Sequence, residues 1–194
     1  MNYLKSIDIG LAENKPHSEI VRKVYLTFPT MAMIGDEERQ FKILNEISQY
    51  FQIPIVNIQI VGSAKTGQSF HKENKFTEKI SDLDVAIIDL HLFQKYSEYA
   101  IKQTKGFKDR STFPIIDGRS TYNEYVSYIS KGIFRPDLMP TGKKRANWRK
   151  FFGKLSGEHK DLFKSINAGI YMSQTFFELK QSGIIRDYIS NKTI

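Results

Sequence analysis

Two aspartates one residue apart, Asp82 and Asp84, lie in the run Ser81-Asp82-Leu83-Asp84-Val85-Ala86-Ile87. Read as a strand, this run projects both carboxylates from one face and Leu83, Val85 and Ile87 from the other. Carboxylates placed this closely repel each other, and a hard divalent cation relieves the repulsion. Mg²⁺ is usually held by one or two carboxylates together with substrate phosphates. Upstream, the apolar Ile60-Val61 ends in Gly62-Ser63. A Gly-Ser turn at a strand end offers backbone N–H groups and a hydroxyl to a phosphate. Together the two stretches suggest a nucleotide–metal site. An Asp-x-Asp pair alone is a weak signal, common in surface loops, and the bland alternative here is a strand with an exposed acidic end.

The elements that would position these residues can be read on either side of them. Asp36 is expected to cap a helix whose first turn holds Glu37 and Glu38, where the helix dipole favours acids. Phe41, Leu44, Ile47 or Ser48, and Phe51 share one face, and the helix should end near Phe51, before Pro54. Ile55 to Val61 then reads as a buried strand, and Asp82 to Asp89 as the second central strand. Between them residues 62–80 form a long basic connection, including Lys65, His71, Lys72, Lys75 and Lys79, with a first helical turn after Ser63 and a loop beyond Gly67.

Further along, helices are expected over His91 to Thr104 and Asn123 to Lys131, the latter stopped by Gly132. Phe113 to Gly118 reads as a short strand and turn, and Arg135 to Pro140 as a loop stiffened by two prolines. Ile166 to Tyr171 is a third strand, with Asn167, Gly169 and Tyr171 on one side. A final helix runs through Phe176, Phe177, Ile184 and Tyr188 to about Ile189. Before Asp36, only Glu19 to Phe28 reads as a short helix, ended by Pro29.

At 194 residues, 40% hydrophobic and 26% charged, the chain has the composition of a soluble globular protein able to bury a core. It has no cysteine, which excludes disulfides and thiolate metal sites, and four scattered histidines argue against structural zinc. The apolar runs are too short to span a membrane, and the start of the chain lacks the apolar core of a signal peptide, so the cytoplasmic compartment is expected. A net charge of +8 favours anionic partners, nucleotide, RNA, DNA or an acidic protein. The most basic segment is Lys143 to Leu155. There Trp148, Phe151, Phe152 and Leu155 are spaced as a buried face, and Lys143, Lys150 and Lys154 project opposite. That face is either a solvated surface or a contact to the phosphates of a triphosphate or polynucleotide.

With Gly62-Ser63 and Asp82-Leu83-Asp84 in place, the stretch from Ile55 to Asp89 resembles the DNA polymerase β-like nucleotidyltransferase superfamily. The resemblance implies an α/β (α+β) fold: a small mixed central sheet flanked by helices, with a helical insertion and a C-terminal helix. Residues 1–194 would form one domain, with its core at about 36–172 and the C-terminal helix at 173–190. It further implies that Gly62, Ser63 and Lys65 contact a nucleoside triphosphate, and that Asp82 and Asp84 bind Mg²⁺ (or Mn²⁺). Members transfer a nucleotidyl group to a hydroxyl of RNA, protein or a small molecule. The size is similar to stand-alone transferases of bacterial toxin–antitoxin or phage-defence modules, which implies a possible protein partner.

Two departures from the family pattern stand out. The spacer between Ser63 and Asp82 carries a basic insertion around Gln68 to Thr77, either a substrate-binding loop or a surface elaboration. Active members also carry a third carboxylate on a later strand, and Ile166 to Tyr171 offers only Asn167 there. Asp117 is the first substitute and Asp137 the second. A catalytically degenerate module that binds nucleotide or nucleic acid, or regulates a partner, is therefore the second reading.

Overall fold

A computed structural model describes residues 3–70 and 74–192. The fold is α/β, built on a four-stranded mixed sheet with a separate two-stranded ribbon. The sheet comprises β1 (Ile58–Val61), β2 (Leu83–Ile88), β5 (Ile133–Phe134) and β6 (Ile166–Tyr171), in the spatial order β1-β2-β6-β5. β1 runs antiparallel to β2, β2 parallel to β6, and β5 antiparallel to β6. The ribbon pairs β3 (Ile115–Ile116) with β4 (Arg119–Ser120) through Asp117-Gly118, both at positive φ, as a two-residue hairpin turn requires.

Strand periodicity gives the sheet two different faces. Ile58, Ile60, Leu83, Val85, Ile87, Ile166 and Ile170 belong to the larger core. Against them pack α3 (Glu37–Phe51), α5 (Leu90–Gln103) and α7 (Lys143–Glu158). On the opposite face Val61, Ala86, Ile133 and Tyr171 join a second core with α1 (Tyr3–Ala12), α2 (His17–Val21) and α8 (Gln174–Lys192). A strand consumes alternate residues on each face, so Asp84 and Asn167 fall on the α8 side.

The local signals operate largely as read, with instructive exceptions. Asp89 ends β2 and caps α5, accepting a hydrogen bond from Leu92 N at 2.7 Å and another from Asn57 at 3.0 Å. Asp36 makes no such cap; its carboxylate pairs with Arg39 at 2.6 Å, and Arg39 also reaches Asp161 at 2.8 Å. On α3, Ile47, Ser48 and Phe51 are buried and Leu44 partly buried as expected, but Phe41 is exposed and Ile43 is buried. Both stripes satisfy a helical period, and the aromatic cluster of Phe51 with Trp148 and Phe152 decides the rotation. Ile55–Asn57 forms a 3₁₀ turn rather than the start of β1. In α6 (Tyr122–Ile129) Val126 is exposed and Tyr125 buried.

The first 35 residues hold more structure than their composition suggests. α1 packs on α2, which continues as a π-helical turn over Arg22–Thr27, and Phe28 ends the run with extended backbone before Pro29. No helix is long and apolar enough to cross a membrane, among the described residues.

Candidate functional site

β1 delivers the chain to Gly62 at the open end of the sheet, where φ is +68°. That left-handed backbone turns Val61 directly into α4 (Gly62–Thr66). It also brings Gly62 against Asp84. A Cβ at position 62 would stand 2.8 Å from Asp84 Oδ2, closer than such contacts tolerate. Only glycine therefore meets both the dihedral and the approach. The β1–β2 register explains the proximity, since Val61 is the cross-strand partner of Asp84.

On the other side of β2, Asp84 is in register with Asn167 of β6. Asn167 Nδ2 donates to Ser165 Oγ at 2.8 Å, and Ser165 Oγ donates to Asp82 Oδ1 at 2.7 Å. Ser165 and Asn167 share a face by the strand period, so the chain of bonds places Asp82 on the same side as Asp84. The position where a third carboxylate would stand carries the amide of Asn167. Among the described residues no three His, Asp or Glu side chains converge as a metal-ligand group. Two carboxylates and an amide oxygen remain a suitable oxygen donor set for a hard cation that also binds phosphate.

Gly62 and Asp84 open into a cavity of ≈ 850 Å³ that reaches around β6 to α7 and α8. Its charged lining is mostly cationic. Arg149 projects from α7, Lys180 from α8, and Arg135 follows β5. Arg135 is committed: it forms a two-pronged pair with Asp137 at 2.8 and 2.5 Å and stacks over the Tyr128 ring at 4.9 Å. The Asp137 carboxylate holds the Arg135 guanidinium firmly protonated. Arg149 and Lys180 are exposed and form no ion pair among the described residues. Tyr171 closes the inner end, its hydroxyl pushed upward by burial and then by the negative charge of Asp84.

The sequence-predicted residues divide clearly. Gly62, Asp84 and Asn167 line the cavity, and Asp82 joins them through Ser165. Ser63 is half-buried in the first turn of α4, beside the lining but not in it. Lys65 points elsewhere. It is 4% exposed, and its ammonium donates to Phe28 O at 2.6 Å. Burial lowers this group to about 8. Helix geometry causes the placement, since two steps beyond Ser63 carries the side chain toward the N-terminal layer.

Asp117 sits in the exposed hairpin turn and does not line the cavity, whereas Asp137 does, already bound to Arg135. Lys143, Lys150 and Lys154 are exposed on the outer face of α7, away from the cavity lining, and Lys154 pairs with Glu158 at 3.4 Å.

Arg149, Lys180 and Arg135 were not singled out by spacing arguments. A signal for the first exists: Arg149, Gly153 and Ser156 recur at i, i+4 and i+7, so small residues leave room beside one cation. Within the basic connection, Phe76 N donates to Gly67 O at 2.8 Å and Ser69 N to Asn74 O at 2.8 Å. Phe70 is buried against Tyr188, which anchors the excursion to α8. His71 and Lys72 lie outside the described residues. A second, more open hollow of ≈ 460 Å³ lies along α5, lined by Lys95, Glu98, Lys102 and Lys144, on the helix that packs against the sheet face opposite Asp84.

Compared with protein-family models, with curated proteins and with solved structures, the chain matches none.

Proposed function

We propose that the chain is a Mg²⁺-dependent nucleotidyltransferase, acting on a nucleoside triphosphate and a hydroxyl acceptor. The observation that carries this reading is the close approach of the Gly62 turn to Asp84 at the mouth of a cavity whose uncommitted charges, Arg149 and Lys180, are positive. Such an arrangement suits a phosphate chain with a bound cation better than either alone. Bound Mg²⁺ would neutralise Asp82 and Asp84 and polarise the phosphates.

The chain's own residues then have distinct tasks. The Gly62-Ser63 turn holds phosphate oxygens, and Arg149 and Lys180 offset the charge of the departing group. Ser165 and Asn167 fix the Asp82 carboxylate. The acceptor oxygen forms a bond to the α-phosphorus as the bond from that phosphorus to the bridging oxygen breaks. Pyrophosphate leaves with the electron pair, and the hydroxyl proton passes to water at the open mouth.

Asn167 favours a second reading, in which the site binds Mg·NTP without transferring it. Incubation with each α-phosphate-labelled NTP, Mg²⁺ or Mn²⁺, and pools of RNA and protein separates the two. Transfer that vanishes in Asp82→Ala and Asp84→Ala supports the enzyme. Retained Mg·NTP binding without transfer from any NTP assigns the second reading, and no Mg·NTP binding at all refutes both.

A further inference from the structure

β6 is paired along its whole length with β2, but only Ile170 and Tyr171 are paired with β5 on its other side. The direction of each main-chain group follows from the bonds present. Leu83 N donates to Ser165 O, and Met172 N donates to Gly132 O. Odd-numbered residues of β6 therefore turn their polar groups to β2, and even-numbered ones turn theirs to the β5 side. Ile166 N–H on that side is taken by Ser156 Oγ at 2.8 Å. The Ile166 carbonyl and both the N–H and carbonyl of Ala168 face the cavity with no protein partner among the described residues.

An unpaired strand edge is a template for another extended chain, and proteins ordinarily block it. Here β5 would have to continue past Phe134 to cover it, but Pro136 lies at the required position and Arg135 is drawn aside by Asp137. The edge is instead recessed between α7 and α8, with Trp148 and Phe152 on one wall and Tyr171 and Ile184 on the other. Arg149 and Lys180 stand on the two walls.

We infer that this edge binds an extended polypeptide segment with acidic flanks, which adds a strand to β6 in line with β5. One residue of the segment exchanges both main-chain hydrogen bonds with Ala168, and a residue two further on donates to the Ile166 carbonyl. Apolar side chains of the segment fill the aromatic wall, and its acidic flanks meet Arg149 and Lys180, so segment and triphosphate compete for these two cations. The occupant lies beyond β6, two strand spacings or roughly 10 Å from the Asp84 backbone, so only its longer side chains on the α8 face reach toward the proposed nucleotide site. A polynucleotide could meet the cations but has no use for the alternating donor and acceptor of Ala168.

The inference goes beyond nucleotide transfer and is tested without nucleotide, so its failure leaves the Mg·NTP reading standing and the reverse also holds. Random decapeptides displayed on phage are selected against the full chain, with counter-selection on Ala168→Pro. Proline removes the outward N–H while leaving the β2 bonds intact, a substitution edge positions accept. Expected are acidic peptides that bind the native chain tenfold or more tightly than Ala168→Pro, weaken similarly in Arg149→Glu, and slow hydrogen exchange at the Ala168 amide. Where Ala168→Pro fails to fold, N-methylation of the selected peptide along its backbone gives the same loss from the other partner. Selection of no peptide, peptides indifferent to both changes, or retention of oligouridylate in place of peptide overturns the inference.

Discussion

Gly62→Ala isolates the one contact that joins the turn to the carboxylate. The substitution has two separable costs. At φ +68° an alanine enters the left-handed region, which costs about 1–2 kcal/mol. The new Cβ would also stand 2.8 Å from Asp84 Oδ2. That oxygen is the end of a side chain, so rotation of Asp84 relieves the clash for roughly 0.5–1.5 kcal/mol. The total, about 1.5–3.5 kcal/mol, lowers the melting midpoint of a chain this size by roughly 3–14 °C, at roughly 2–4 °C per kcal/mol. Rotation, however, takes the carboxylate away from the position where a cation would meet it. Mg·NTP affinity should therefore fall well beyond the effect on stability, by tenfold or more at a temperature where the variant remains folded. A double-mutant cycle with Asp84→Ala separates the costs: the clash disappears in the double variant and the backbone strain stays. Urea unfolding and fluorescence titration with an NTP analogue supply both readings. Strict additivity of the two substitutions in stability, or unchanged Mg·NTP binding in folded Gly62→Ala, would refute the reasoning.

Neighbouring residues on α7 should behave in opposite ways. Arg149→Ala removes a cavity cation and should weaken NTP binding by roughly 10–100-fold, the worth of a charge-assisted hydrogen bond, while Lys150→Ala changes it less than about twofold. Lys65 supplies a pH dependence. Its folded value of about 8 lies below the ordinary 10.5, so the unfolded chain holds more protons between them and stability rises with pH across that window, by at most about 3 kcal/mol. Lys65→Met should flatten the rise in urea midpoints measured from pH 8 to roughly 9.5, below the range where unfolded tyrosines ionise and buried Tyr25, Tyr96 and Tyr125 reverse the trend. Asn167→Asp places a carboxylate in register with Asp84 and takes away the donor to Ser165; the variant should melt lower than the native chain without Mg²⁺ and gain more from added Mg²⁺.

The sheet face was legible because strand periodicity is strict. Once Asp82 to Asp89 reads as a strand, Asp84 must oppose Leu83 and Val85, and Asn167 must share a face with Gly169 and Tyr171. The Gly62 turn was legible for a similar reason, as a glycine between an apolar strand and a polar turn. Helical positions were less determinate. Phe41 and Ile43 both fit an apolar stripe on α3, and only the partner surface of Trp148 and Phe152 selects one. Lys65 looked like a phosphate contact from its distance to Ser63, but a carbonyl at Phe28, 37 positions away, claims it. The two residues of β5 carry too short a pattern to read, and the strand exists because the β6 edge pairs with it. Arg149 was hidden among the other cations of its segment, which sequence assigns to one basic helix and the fold divides between a cavity and solvent.

That division determines what the cavity can hold. Asp137 is bound to Arg135, so the other anions are Asp84 and, joined through Ser165, Asp82, both from the sheet, while the uncommitted cations, Arg149 and Lys180, come from the helices on either side. A bare divalent cation gains two carboxylates but meets the field of two cations. A bare triphosphate gains the cations but meets the carboxylates. A metal–phosphate pair satisfies both sets at once, so binding of each partner should raise the affinity for the other by the same factor. Under the proposed function, Asn167 would strengthen this linkage rather than weaken it. A third carboxylate would let the sheet hold the metal unaided, whereas an amide leaves the cation dependent on phosphate oxygens for the rest of its coordination. Mg²⁺ binding in the absence of NTP should accordingly be weak, and the dependence of NTP affinity on Mg²⁺ steep.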